Sequence, residues 1–150
     1  MAKVSRNEYF KGRDKHKEFL PEYEENAAEL LRKINIFIKD YPRPITVSSG
    51  YRPASYNASV PGAAARSNHT TCHAIDILDM DLTVWKYCLE QLDLARELGL
   101  YFEDKRWTSS WVHIQDVPPK SGKRIYVPNS NPPQRPDFWD GEYSKEYDEV

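Results

Sequence analysis

The chain of 150 residues carries 21 basic and 23 acidic side chains, so its formal net charge is -2. A hydrophobic fraction of 39% with 29% charged residues is typical of a soluble globular domain, and this length is enough for one domain with its own core. The balance of charge argues against a nucleic-acid-binding protein, which usually presents a basic face. No apolar run reaches the roughly 18 residues of a membrane-spanning helix, so we expect no membrane insertion.

The compartment is indicated by two further features. The first 19 residues, MAKVSRNEYFKGRDKHKEF, lack the apolar core of a signal peptide. Only Cys72 and Cys88 are present, which is too few for a disulfide framework. We therefore expect synthesis in a reducing cytoplasm.

The first third of the chain predicts one long helix and one strand. Residues 1–20 are charged and weakly patterned, and we interpret them as an arm or a short helix. Pro21 opens PEYEENAAELLRKINIFIKDY, whose apolar residues repeat at helical spacing. PITVSSGYRP predicts a short strand that ends near Gly50, and residues 53–68 form a polar loop.

The rest of the chain predicts three strands, a helix and a tail. HAIDIL, LYFE and WVHIQ have the composition of strands, KRIYVP of a last strand or extended edge, and DLTVWKYCLEQLDLARELG of a second helix that Gly99 can end. Residues 129–150 contain six acids against two bases, so we expect an extended tail. The fold class is thus α+β, with two main helices on a small, mostly antiparallel sheet. We divide the chain into an arm (1–20), a domain (21–128) and a Pro-rich acidic tail (129–150).

Two segments concentrate the candidate metal ligands. SNHTTCHAIDI, residues 67–77, contains His69 and Asp76, and WVHIQ, residues 111–115, contains His113. Zinc accepts imidazole and carboxylate ligands, and a catalytic site keeps one position open. The spacing alone leaves two interpretations open: three zinc ligands, or ordinary polar residues with satisfied partners. Asp76, inside an apolar strand, needs a partner in either case.

The order of the motifs resembles the zinc D-Ala-D-Ala carboxypeptidase superfamily. SSGYRP, then S-x-H continuing to A-x-D, then WVHIQ follow that pattern over about residues 25–127. The resemblance implies the fold shared with the amino-terminal signalling domain of hedgehog proteins. The chain looks most similar to short phage-encoded peptidoglycan peptidases. The resemblance implies a zinc peptidase that acts on peptides containing D-amino acids, with peptidoglycan stem peptides as substrate. Such an enzyme would serve in phage lysis or be a virion-associated hydrolase.

Carried over by position, the resemblance implies that His69, Asp76 and His113 bind zinc. It also implies that Arg52 of SGYR contacts the carboxylate of the substrate or the developing oxyanion, since a guanidinium fork suits either role. Without the family pattern, Arg52 would be interpreted as a solvated loop residue.

Other residues are expected around the same cleft. The resemblance places Ser67 in support of the pocket. Strand alternation puts Trp111 and Gln115 on the His113 side of WVHIQ, and we expect both to bind substrate, although Trp111 can equally be a core residue. His73 matches no ligand position and is interpreted as a strand residue or a support for the ligands.

The sequence departs from the family pattern at two positions. Cys72 replaces the glycine three residues after the first ligand, and it is either a packing residue, a weak competing ligand or an oxidation-sensitive thiol. Ser110 replaces the acid that many of these peptidases carry three residues before the last histidine. We therefore expect Glu103, or else Asp104, to be the general base that takes a proton from the attacking water. Glu103 is preferred because alternation separates it from Phe102, which we expect in the core.

The missing acid at Ser110 favours a rival hypothesis. The domain would then bind metal without catalysis and serve as a virion structural or interaction module. The aromatic, acidic tail PDFWDGEYSKEYDEV can be a docking peptide for a virion protein under either hypothesis.

Overall fold

A computed structural model describes residues 2–59 and 67–127, and within them the chain forms five α-helices and a five-stranded sheet. The helices are α1 (Arg6–Phe10), α2 (Pro21–Phe37), α3 (Ala54–Asn57), α4 (Thr83–Glu90) and α5 (Leu92–Leu98). The strands are β1 (Val47–Ser49), β2 (Ala74–Leu78), β3 (Tyr101–Glu103), β4 (Trp111–Gln115) and β5 (Ile125–Tyr126). Three short 3₁₀ helices occupy Arg13–Lys15, Asn68–Thr71 and Lys105–Trp107.

The sheet has the strand order β1-β2-β4-β3-β5. The pairs β1–β2, β2–β4 and β3–β4 are antiparallel, and only β3–β5 is parallel. The central pair sets Asp76 directly opposite His113. The predicted α+β class with a mostly antiparallel sheet is confirmed.

The core lies between α2 and the sheet. Helix α2 begins with Pro21 at its first turn, and Leu30, Ile34 and Phe37 lie on its buried face. Phe37 contacts Phe102 of β3, with ring centroids 5.7 Å apart. Among the described residues no helix is long and apolar enough to cross a membrane.

The N-terminal segment is part of this core, which corrects the boundary predicted at residue 21. Val4, Tyr9 and Phe10 are each 1% exposed, and the Tyr9 hydroxyl donates a hydrogen bond of 2.8 Å to the carbonyl of Ala74 in β2. Ser5 caps α1 in a capping box with Glu8, so even a five-residue helix is well begun. Residues 2–20 therefore fold with the domain and are not a separate arm.

The second predicted helix is interrupted. Helices α4 and α5 are separated at Gln91, and α5 ends at Gly99, whose φ of 71° is the left-handed geometry expected of a C-cap glycine. The backbone N–H groups of Val84 and Trp85 donate to the buried carboxylate of Asp79, which satisfies the start of α4. The tail predicted over 129–150 lies outside the described residues.

Candidate metal centre

Three buried side chains bring metal-ligating atoms together at the centre of the sheet. Asp76 and His113 face each other across β2 and β4, and His69 comes from the 3₁₀ helix that precedes β2. One ligand atom from each of the three lies within 4.8 Å of the others. The sequence therefore brings its three predicted ligands to one place.

His69 is oriented by the backbone around it. Ser67 caps the 3₁₀ helix by accepting a hydrogen bond from the His69 N–H at 3.2 Å. The ring nitrogen Nδ1 lies 2.8 Å from the carbonyl oxygen of Gly50, and since a carbonyl can only accept, Nδ1 carries the hydrogen. The other nitrogen, Nε2, is then the one free to bind a metal, and it lies 3.2 Å from Oδ1 of Asp76.

Gly50 has a steric reason for being glycine. A Cβ atom at this position would lie 2.0 Å from the backbone oxygen of Tyr9. The N-terminal segment therefore packs directly on the residue whose carbonyl orients His69. This contact explains the glycine of SGYR without invoking its backbone angles.

The charges at the site favour an ionised Asp76. Burial alone would raise the pKa of this carboxyl, but His69 and His113 outweigh burial and hold the pKa well below its usual range. Burial lowers the pKa of His69. Burial acts the same way on His113, but the hydrogen bond and charge of Asp76 prevail and raise its pKa to about 9. The cluster thus holds an anionic oxygen beside a neutral imidazole ring, that of His69, and a protonated one, that of His113.

Arg52 reaches the site but is directed at the protein. Its side chain donates hydrogen bonds to Ser49 Oγ at 2.9 Å, Asn57 Oδ1 at 3.2 Å and Asp76 Oδ2 at 3.2 Å. It was expected to contact substrate, whereas in this structure it anchors the oxygen of Asp76 that faces away from His113. A substrate contact by Arg52 stays a prediction.

The two candidate bases occupy different environments. Glu103 Oε2 lies 3.9 Å from His113 Nδ1, and burial raises the pKa of its carboxyl. Asp104 is fully buried and accepts a hydrogen bond from the backbone N–H of Arg106, which caps the 3₁₀ helix Lys105–Trp107. Strand alternation accounts for the difference, since Phe102 is buried in the core and Glu103 points to the opposite face. The geometry favours Glu103.

Gln115, which we expected to contact substrate, lies behind His113. It is 3% exposed, and its Oε1 contacts His113 Nε2 at 2.8 Å and the Tyr126 hydroxyl at 2.6 Å. Trp111 is half-buried, beside Leu78 of β2 at the far end of the strand pair. Tyr126 was missed by the sequence analysis, because a tyrosine in a two-residue strand carries no signal of its own.

The other two candidate residues of SNHTTCHAIDI, His73 and Cys72, support the fold around the ligands. His73 Nδ1 lies 2.9 Å from Asp116 Oδ1, which ties the start of β2 to the residue after β4. Cys72 is fully buried and ends the 3₁₀ helix with a φ of 65°, the left-handed region that a glycine would occupy freely. It is not among the residues whose ligand atoms converge, which favours the packing role for its side chain.

The residues present fit a zinc ion. Two imidazoles and one carboxylate make a three-ligand set of the kind found in catalytic zinc sites. Nε2 of His69 is buried and finds no hydrogen-bond partner within the described residues, although it lies close to Asp76. An unprotonated nitrogen directed at a carboxylate is unfavourable unless a cation lies between them.

Comparison with known proteins finds similarity over the part of the chain that contains the three candidate ligands. A family model described as Peptidase M15 matches residues 3–115. Among solved structures, the L-Ala D-Glu endopeptidase ChiX of Serratia marcescens is similar with 24% sequence identity and a TM-score of 0.45, over 68% of this chain and 92% of that one. No curated protein matches the sequence.

Proposed function

The chain belongs to the peptidase M15 family, and on that premise we propose that it is a zinc-dependent peptidase that hydrolyses peptides containing D-amino acids. The observation that carries this proposal is the convergence of His69, Asp76 and His113, with the carboxylate of Glu103 3.9 Å from the His113 ring. It combines a metal-ligand set with an acid that is not itself one of the three ligands.

In this proposal each side chain has its own task. His69, Asp76 and His113 would hold zinc, which when bound acts as a Lewis acid on the scissile carbonyl and acidifies the attacking water. Glu103 takes a proton from that water and returns it to the leaving amine. Its raised pKa suits both steps, because a base works best when its pKa approaches the working pH. Arg52 holds Asp76 in place through an ion pair of 3.2 Å.

We propose peptidoglycan stem peptides as the substrate because SGYR, S-x-H, A-x-D and WVHIQ resemble the D-Ala-D-Ala carboxypeptidase pattern. Ser67 and Trp111 are proposed to line the substrate cleft. Cytoplasmic synthesis followed by release during phage lysis, or carriage in a virion with the tail as a docking peptide, remains part of this proposal.

The central test exchanges one oxygen for nitrogen at the base. Glu103→Gln should keep zinc and fold but cleave peptidoglycan fragments at least about 100-fold more slowly, the loss expected for a general base. Asp104→Asn is the matched control, because an amide oxygen still accepts the N–H of Arg106, and it should retain most of the activity. Both variants are assayed beside the parent on D-Ala-D-Ala and L-Ala-D-Glu peptides, with zinc measured by elemental analysis.

Two results would change this conclusion. If Glu103→Gln cleaves at the rate of the parent, Glu103 is not the base. If the parent holds zinc and cleaves no peptide of the panel, the inert metal-binding domain becomes the better description. Ser110, at the position where many relatives carry an acid, is the observation that favours that rival.

A further inference from the structure

We infer that Gln115, held by Val117 and Tyr126, is a positioning residue that fixes which nitrogen of His113 faces the metal centre and so sets its affinity for zinc. The inference rests on the proposed zinc site. It concerns two residues outside the ligand set, Gln115 and Tyr126, and both are less than 10% exposed.

The orientation of the Gln115 amide follows from its partners. Its Nε2 lies 2.8 Å from the backbone oxygen of Val117, and a carbonyl can only accept a hydrogen bond. The NH₂ group must therefore point at Val117. The carbonyl oxygen Oε1 is left facing His113 and the Tyr126 hydroxyl, which donates to it at 2.6 Å.

This orientation determines the hydrogen on His113. Because Oε1 only accepts, the His113 nitrogen 2.8 Å from it, Nε2, must be the donor. Nδ1, which donates to Oδ1 of Asp76 at 2.9 Å in the metal-free protein, is then the nitrogen that a metal would take in place of that hydrogen. Gly50 imposes the opposite choice on His69, whose Nδ1 is the donor and whose Nε2 faces the same Asp76 oxygen.

Tyr126 makes the arrangement hard to reverse. Rotating the Gln115 amide by half a turn would present NH₂ to His113 and an oxygen to the Val117 carbonyl, so that two oxygens would face each other. It would also take the acceptor Oε1 away from the hydroxyl of Tyr126, a residue that is 8% exposed. Buried polar groups without partners are costly. The hydrogen bonds that link Val117, Gln115 and His113 therefore have one favoured donor-to-acceptor direction.

Three variants test the role. Gln115→Leu keeps the side-chain volume but removes the acceptor, and zinc affinity should fall about 10–100-fold, as is usual when a group that orients a metal-ligating histidine is lost. Gln115→Glu retains an acceptor for Nε2 but sets a second oxygen against the Val117 carbonyl, so it should recover only part of that affinity. Tyr126→Phe should weaken zinc only a few-fold. Tyr41→Phe is its control, since the Tyr41 hydroxyl is paired with Thr83 and not with a residue of the cluster.

The readout is the zinc dissociation constant, measured by competition with a chromophoric chelator, with circular dichroism of the metal-free proteins as the test of fold. A long-range ¹H–¹⁵N spectrum of the zinc-loaded parent should show His113 protonated at Nε2 and His69 protonated at Nδ1. A merely structural role for Gln115 would not predict this pattern or the recovery in Gln115→Glu.

The outcomes separate this inference from the proposed function. A parent that binds no zinc overturns the proposed zinc peptidase, and the affinity role with it. A parent that binds zinc, together with a folded Gln115→Leu of equal affinity, overturns the positioning role alone. If Gln115→Leu does not fold, Gln115→Glu and the spectrum decide: His113 protonated at Nδ1 in the zinc-loaded parent would refute the inference.

Discussion

The two histidines of the cluster need the same support and receive it from different parts of the chain. His69 lies in a 3₁₀ helix and is oriented by a backbone oxygen, that of Gly50. His113 lies in a central strand and is oriented by a side chain, Gln115. A side-chain acceptor can be deleted by one substitution, whereas a backbone acceptor can only be displaced. The orientation of His69 can therefore be disturbed by changing the packing that holds the Gly50 carbonyl. The orientation of His113 can be disturbed by removing the acceptor atom of Gln115.

The largest expected effect treats both histidines alike. With free zinc at 1,000 times its dissociation constant, zinc should raise the free energy of unfolding of the parent by about 4 kcal/mol. His69→Ala and His113→Ala should each lose most of the bound zinc and most of this increase. Chemical denaturation with and without a chelator measures it. The chelated parent should keep its circular dichroism, because the core is built without the metal.

Retention of the zinc-dependent increase in either alanine variant would remove that histidine from the site. Unfolding of the parent on chelation alone would show a structural metal and weaken the enzyme proposal.

A smaller effect should appear on the His69 side only. Gly50→Ala forces apart the new Cβ and the backbone oxygen of Tyr9, which would otherwise be 2.0 Å from each other. Overpacking of this kind costs roughly 1–3 kcal/mol, and displacement of the Gly50 carbonyl should weaken zinc binding as well. Gly122→Ala is the control: nothing lies within 4 Å of the added atom, so only the left-handed φ of 73° is strained, which should cost about 1–2 kcal/mol and no zinc affinity. Unchanged zinc binding in Gly50→Ala would contradict the role of the Gly50 carbonyl in orienting His69.

The smallest effect concerns the thiol that ends the His69 helix. Burial raises the pKa of Cys72 to about 12, although the Tyr9 hydroxyl partly opposes it. The thiol of an unfolded chain has a pKa of about 8.5, so above that pH the unfolded state releases a proton that the folded state keeps. This contribution to stability is complete below about pH 8.5 and declines as the pH rises towards 12.

Urea denaturation at pH 8 and pH 10 should therefore show a steeper loss of stability in the parent than in Cys72→Ala. Equal slopes would mean that the Cys72 thiol is not shielded in the way the structure indicates.

The ligand strands were predictable because they follow simple rules. Alternation in a strand separates Glu103 from Phe102 and aligns His113 with Gln115, and the structure has both. Alternation could not predict how deeply each side chain is buried. Trp111 and Gln115 share a face of the strand, but only Gln115 is covered, because Tyr126 of β5 contacts it. That contact depends on the parallel pairing of β3 with β5, which no local sequence pattern predicts.

The N-terminal segment was misjudged for a related reason. Its buried side chains, Val4, Tyr9 and Phe10, have neither helical nor alternating spacing and stand among lysines and arginines. Their partners, such as Ala74, are far away in sequence, so the burial becomes visible only in three dimensions. The split at Gln91 likewise left no mark in the apolar repeat of the second helix.

The bond between Tyr9 and Ala74 joins residues 65 positions apart, and it has a consequence for biosynthesis. A ribosome releases the chain from its amino end, so the aromatic ring of Tyr9 emerges well before the strand that its hydroxyl contacts. Contacts of such long sequence separation slow folding, and apolar groups exposed meanwhile attract chaperones or other nascent chains. This segment is translated before β2 and can complete its packing only after that strand has emerged.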